Sequence, residues 1–168
     1  MMQKKVQIIS DGSLDLSQEL TKEKDIEVVP FYVSFDSETY QKEMVEVGVR
    51  EFYQEMVDHP TVFPKTSMPS VHDYYEVFEK YAKEQLPVIC ICITKKFSGS
   101  LQSATTAKDM ILEEYPDAQI TVIDSTVNTV LQGLYVLEAC RLRDMGLEYQ
   151  QIVDALLPIR ETGRIFFT

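Results

Sequence analysis

The sequence predicts an α/β protein, a three-layer α/β/α arrangement on a mostly parallel sheet, and three observations lead there. Short β-like runs alternate with longer helical ones along the chain, the order that builds βαβ units. One run, Val88-Ile89-Cys90-Ile91-Cys92-Ile93, is apolar at every position, as in a strand buried on both faces of a parallel sheet. The chain has 168 residues, one domain's worth, enough to bury a core without disulfide or metal.

The elements follow in order. Val6 to Ser10 is a first strand ending at Asp11-Gly12, and Ile26 to Phe35, rich in β-branched and aromatic residues, is a second. Val88 to Ile93 is the third and Gln119 to Ile123 the fourth, ending in Asp124-Ser125. Arg164 to Thr168 reads as a fifth. Between them, Glu51 to Val57 is helical. Ser70 opens a helix with Asp73 three residues on, a capping-box pattern, and Val71, Tyr74, Tyr75, Phe78 and Tyr81 form its apolar stripe. Ser100 to Tyr115 is a helix with Ser103, Ala104 and Ala107 on one side. Val130 to Met145 is another, stopped by Gly146, and the helix from Glu148 is ended or kinked by Pro158. No internal repeat or low-complexity linker interrupts the pattern. Residues 1–162 read as one α/β domain and 163–168 as the start of a truncated second, because a chain that stops inside an apolar strand implies a continuation.

Composition narrows the function classes. The net charge of −11 repels nucleic-acid phosphates and anionic membranes, so neither is an expected partner. Cys90, Cys92 and Cys140 have no framework spacing, which points to a reducing compartment. The apolar run after Lys4-Lys5 covers only Val6 to Ile9, too short for a leader, and no stretch approaches a membrane span, so the cytoplasm is the expected location.

In open α/β sheets, ligands bind beyond the carboxyl ends of the strands. Three such ends carry small hydroxyl residues here: Ser10-Asp11-Gly12-Ser13, Thr94-Lys95-Lys96-Phe97-Ser98-Gly99-Ser100 and Asp124-Ser125-Thr126. Ser98-Gly99-Ser100 precedes a helix, so backbone N–H groups and the positive dipole end face the loop, which suits a carboxylate or phosphate. The competing reading is that Ser98 or Ser100 only caps the helix. Pro64-Lys65-Thr66-Ser67-Met68-Pro69-Ser70 either fixes two hydroxyls in space between stiffening prolines or is a plain turn. No nucleotide loop, nucleophile elbow or zinc-helix motif occurs, and His59 and His72 read as surface residues. Cys90 and Cys92 share one face of a buried strand without a matching pair, which reads as core packing. Asp11 and Asp124 are either acid/base groups or acceptors for neighbouring loop N–H groups. The nine Tyr, eight Phe and seven Met either line an acyl cavity or pack the core.

Taken together, these loops resemble the DegV family of bacterial fatty-acid-binding proteins. The resemblance rests on Asp11-Gly12-Ser13-Leu14-Asp15-Leu16, Val28-Val29-Pro30, Pro64-Lys65-Thr66-Ser67-Met68-Pro69-Ser70, Phe97-Ser98-Gly99-Ser100-Leu101-Gln102-Ser103-Ala104 and Ile123-Asp124-Ser125, in family order over nearly the whole chain. It implies a carrier, not an enzyme, with no cofactor, whose ligand is a long-chain fatty acid. The matching hydroxyls of Thr66 and Ser98 would hold the carboxylate, with Ser67, Gly99, Asp11 and Ser125 completing the site and an apolar tunnel taking the tail. Some members pass the acid to a fatty-acid kinase for phospholipid synthesis, which implies that partner here. Two departures stand out: Gly12 where the family usually has Ser or Thr, and Thr94-Lys95-Lys96 in place of a Ser-rich approach to Ser98. The rival reading is a small-molecule phosphotransferase or hydrolase using Asp11 or Asp124 with the Ser98-Gly99 anion loop. A third is a docking module needing no ligand. The open apolar edge near Phe166 and Phe167 predicts a homodimer contact or strand exchange.

Overall fold

The computed structural model describes residues 6–166. Four parallel strands form the main sheet: β1 (Gln7–Asp11), β2 (Ile26–Val29), β6 (Val88–Cys92) and β7 (Ile120–Asp124), in the order β2-β1-β6-β7. Side chains alternate across this sheet, so each strand feeds two cores. Ile8, Ile89, Ile91 and Ile123 point to one face, where α5 (Thr129–Asp144) and α6 (Tyr149–Ile159) cover them with Val136, Ala139, Ile152 and Leu156. Ile9, Cys90 and Cys92 point to the other, against Tyr74 and Phe78 of α3 (Val71–Lys83) and Ala104, Ala107 and Ile111 of α4 (Ser100–Glu114). The three-layer α/β/α arrangement read from the sequence is therefore present, and Cys90, Cys92 and Cys140 are buried free thiols within it.

The second run differs from its sequence reading. Ile26 to Phe35 is not one strand: β2 stops at Val29, and β3 (Tyr32–Ser34) belongs to a separate antiparallel sheet with β4 (Gln41–Lys42) and β5 (Lys65–Ser67), in the order β4-β3-β5. The physical reason is Pro30, which has no N–H to donate to the ladder and so ends pairing at the sheet's edge. The Pro64–Ser70 loop thereby becomes partly a strand, with Val33 opposite Thr66 and Tyr32 opposite Ser67. The helix α2 (Val49–Asp58) has no fully buried residue, and its Phe52 ring lies 5.2 Å from that of Phe35, the residue after β3. A short helix, α1 (Gln18–Glu23), absent from the sequence reading, begins where the Ser17 hydroxyl accepts the Leu20 N–H at 3.2 Å.

The remaining elements lie within a residue or two of their expected limits. The capping box at Ser70 forms: Ser70 Oγ accepts from Asp73 N at 3.1 Å, and Asp73 Oδ2 accepts from Ser70 N at 2.8 Å. Pro158 falls in the last turn of α6, which gives way to a 3-10 turn over Arg160–Thr162. The fifth strand is absent over Arg164, Ile165 and Phe166, which carry no regular structure. The rest of that expected strand, Phe167 and Thr168, lies outside the described residues. Among the described residues no helix is long and apolar enough to cross a membrane.

Candidate functional site

The strand order puts a topological switch point between β1 and β6, since β1 continues to β2 on one side while β6 lies on the other. The carboxyl ends of these two strands carry Asp11 and the Ile93–Ser100 loop, and they are joined by a buried polar network. Asp11 is fully buried. Its Oδ2 accepts from Ile93 N at 2.9 Å and Ser100 Oγ at 2.7 Å, and its Oδ1 accepts from Gln132 Nε2 at 2.8 Å and lies 2.8 Å from Ser13 Oγ. Because Ser100 donates to Asp11, the Tyr74 hydroxyl 2.6 Å away donates to Ser100, and the Cys92 thiol at 3.6 Å donates to Tyr74. Each donor in this series points toward Asp11. Burial pushes the Tyr74 phenol well above its ordinary pKa, with nearby Cys92 and Asp11 adding to the rise. Asp11 therefore holds the first turn of α4 from beneath.

Above it lies the Ser98 loop. The N-terminal cap of α4 is Gly99, and Ser98 Oγ accepts the Ser100 N–H at 3.1 Å. Neither Ser98 nor Ser100 is therefore the cap residue: Ser98 accepts only the Ser100 N–H, while the Ser100 hydroxyl turns inward to Asp11. Gly99 is approached closely by Met68: a Cβ built on Gly99 would lie 2.6 Å from Met68 Sδ. This contact joins the Ser98-Gly99 loop to the strand carrying Thr66 and Ser67, which the chain separates by 32 positions. Thr66 and Ser67 are both exposed.

Thr66 stands at the wall of a cleft of about 580 Å³ between α1, the small sheet and α2, whose apolar lining includes Leu16, Val33, Val47, Phe52 and Tyr53. A second groove of about 250 Å³ continues from it, between Leu14, Ile26, Val28, Pro30 and Val45. Gly12, Leu16, Met44 and Glu43 border both. Burial pushes the Glu43 carboxyl above its ordinary range. A hydrogen bond from Phe31 N at 3.1 Å opposes that rise, and the charges of Asp11 and Asp15 add to it. The small sheet is fastened to α3 by Asp73, which accepts from Tyr32 Oη at 2.7 Å and pairs with Lys42 Nζ at 3.2 Å.

Ser125 lies elsewhere. It is buried at the end of β7, donates to Val127 O at 3.0 Å, and borders a cleft of about 140 Å³ with Leu131, Tyr135 and Arg160. Asp124 Oδ1 accepts from Thr126 N at 2.9 Å, and His59 and His72 are exposed partners of Glu55 and Glu76 one helical turn away. Met68, just beyond Thr66 and Ser67, thus packs against Gly99, Asp11 lies beneath the Ser98–Ser100 turn, and Ser125 borders another cleft. Glu43 and Gln132 escaped the sequence reading. A glycine departing from the usual residue at position 12 was the available signal for the first, and no local pattern marks the second.

Comparison with known proteins decides the family. The family description "Uncharacterised protein, DegV family" matches residues 5–168. The chain belongs to the DegV family. A DegV domain-containing protein of Clostridium acetobutylicum is 34% identical over 153 residues, covering 91% of this chain and 53% of that protein. A stearic acid-binding protein from Eubacterium ventriosum superposes with a TM-score of 0.86 at 46% identity, over 90% of this chain and 52% of that one. A fatty-acid-binding DegV family protein from Thermus thermophilus gives 0.79 at 28% identity, over 94% and 54%. The chain spans about half the length of the curated relatives it matches.

Proposed function

We propose that this DegV chain binds a long-chain fatty acid, with the carboxylate at the Thr66 and Ser98 loops and the acyl tail in the apolar cleft that runs from Thr66 past Leu16. The observation that supports the reading is that Met68, two residues after the cleft-lining Thr66, packs against Gly99, the neighbour of Ser98. A carboxylate there meets hydroxyl donors and the amino-terminal end of a fifteen-residue helix, a low-charge way to hold an anion on a protein of net charge −11. The tail contributes about 0.8 kcal/mol per buried methylene, so the cleft dominates affinity and the hydroxyls set orientation. Asp11 and Gly99 act by shaping the Ser98 loop, Ser67 by flanking Thr66, and Ser125 by fixing the neighbouring strand end. In this reading the protein is a cytoplasmic carrier that presents the acid to a fatty-acid kinase, the role that the family resemblance implies. The stearic acid-binding neighbour at 46% identity supports the ligand class.

The test is equilibrium binding of stearic acid to the protein and to its Thr66→Ala, Ser98→Ala double variant. Loss of two hydrogen bonds to a charged group is worth about 3 kcal/mol, or roughly a hundredfold in affinity. Unchanged binding in the folded double variant refutes the head-group assignment.

A further inference from the structure

We propose that Glu43 is a chain-length gauge: its carboxyl divides the apolar cleft into two compartments and sets how far an acyl tail runs inward. The inference rests on the carrier reading above. Four observations carry it. The cleft holding Thr66 and the smaller groove behind it share Gly12, Leu16, Gln18, Glu43 and Met44, so they are neighbouring parts of one trough. The smaller groove has Leu14, Ile26, Val28, Pro30 and Val45 as an apolar wall that suits terminal methylenes, with Gln18, Thr21, Lys22 and Glu27 as its polar border. Glu43 is anchored at the boundary by its backbone N–H to Phe31 O at 3.0 Å and by its Oε1 accepting from Phe31 N at 3.1 Å. Its carboxyl also occupies the space that a side chain at position 12 would fill: a Cβ built on Gly12 would collide with Glu43 Oε1.

Gly12 and Glu43 are thus a matched pair. The missing side chain makes a notch, and the notch seats a polar group in the floor of an apolar trough. A methylene pushed against a half-buried carboxylate strips water from it without replacing the lost hydrogen bonds. A tail ending before Glu43 avoids that cost, whereas a longer one must displace Glu43 from Phe31 and Gly12. Specificity here comes from a penalty on the wrong ligand rather than from an added contact to the right one.

The experiment compares binding of decanoic, palmitic and stearic acids to the parent protein, Glu43→Ala and Glu43→Gln. Glu43→Ala opens the boundary, and burying about two further methylenes raises the ratio of stearic to decanoic affinity about tenfold. Glu43→Gln keeps the volume and the Phe31 hydrogen bond, guards against loss of fold, and raises the ratio less. A ratio unchanged in both variants, with binding intact, overturns the gauge and leaves the carrier reading standing. A uniform rise in affinity for all three acids also overturns it. Failure of the parent to bind any of the acids overturns the gauge together with the carrier reading.

Discussion

Asp11 offers the sharpest test of how the head-group loop is held. Its two oxygens receive the Ile93 N–H, the Ser100 hydroxyl and the Gln132 amide, with Ser13 alongside, and no water reaches it. In Asp11→Ala the Ile93 N–H points into a cavity with no acceptor, which costs about 1–3 kcal/mol. Gln132 keeps Ser10 Oγ at 3.1 Å and Ser100 keeps Tyr74, so each loses part of its bonding. The sum is roughly 3–5 kcal/mol, a large share of a typical total of about 5–15 kcal/mol. Asp11→Asn is different. The fixed Ile93 N–H requires the amide oxygen on the Oδ2 side, so the new NH₂ faces Gln132 and Ser13. Gln132 can exchange its own oxygen for its nitrogen there, and Ser13 can rotate, so the expected cost is only about 1–2 kcal/mol. Urea unfolding followed by circular dichroism gives both values. An alanine variant as stable as the asparagine variant would show that the donors around Asp11 relax freely, and the account of a rigid support beneath the Ser98 loop would fail.

Two further outcomes follow from the packing. A Cβ at Gly133 on α5 would press on the Leu14 carbonyl oxygen and lie 2.8 Å from Leu16 Cδ2. The helix gains about 1 kcal/mol from glycine to alanine and overpacking costs about 1–3 kcal/mol, so Gly133→Ala is expected to lower the urea midpoint, and a raised midpoint would contradict the contact. Burial raises the Asp73 pKa, but bonds from Ser70, Tyr32 and Lys42 outweigh it and hold it at about 2, against 3.8 for the free group. This stabilisation, roughly 2 kcal/mol, is complete above pH 3.8 and lost as pH falls toward 2. The stability gap between the parent and Asp73→Asn therefore closes over that window, and a gap independent of pH would refute the pairing.

The main sheet was legible in the sequence because its signals are long or unambiguous. Val88–Cys92 is apolar at every position, and α3 announces itself by Ser70, Asp73 and a helical stripe. The small sheet was not legible. Its strands are three, two and three residues long, too short for any periodicity, and their pairing depends on Pro30 diverting the chain. At the site, Thr66 and Ser98 were marked by their loops, but the packing of Met68 on Gly99 is a tertiary contact. Asp11 was visible as a polar residue at a strand end. Its partner Gln132 lies 121 positions away on a helix that reads as apolar, and nothing local marks it. Glu43 lies beside a two-residue strand, where sequence alone offers only a turn.

The central position of β1 has a consequence for synthesis. β1 sits between β2 and β6, and the Ser10 hydroxyl reaches Ile91 O across 81 positions of chain. A ribosome adds about 5–20 residues per second, so β1 waits on the order of 4–16 s after its own translation before its second neighbour exists. Through that interval only the β2 edge can be paired, and the edge that will receive β6 stays open to other chains or to chaperones. The strand on which the whole sheet is built is among the first made and must wait longest for its partner, so the nascent protein commits to its fold late, once residues beyond Cys92 have emerged.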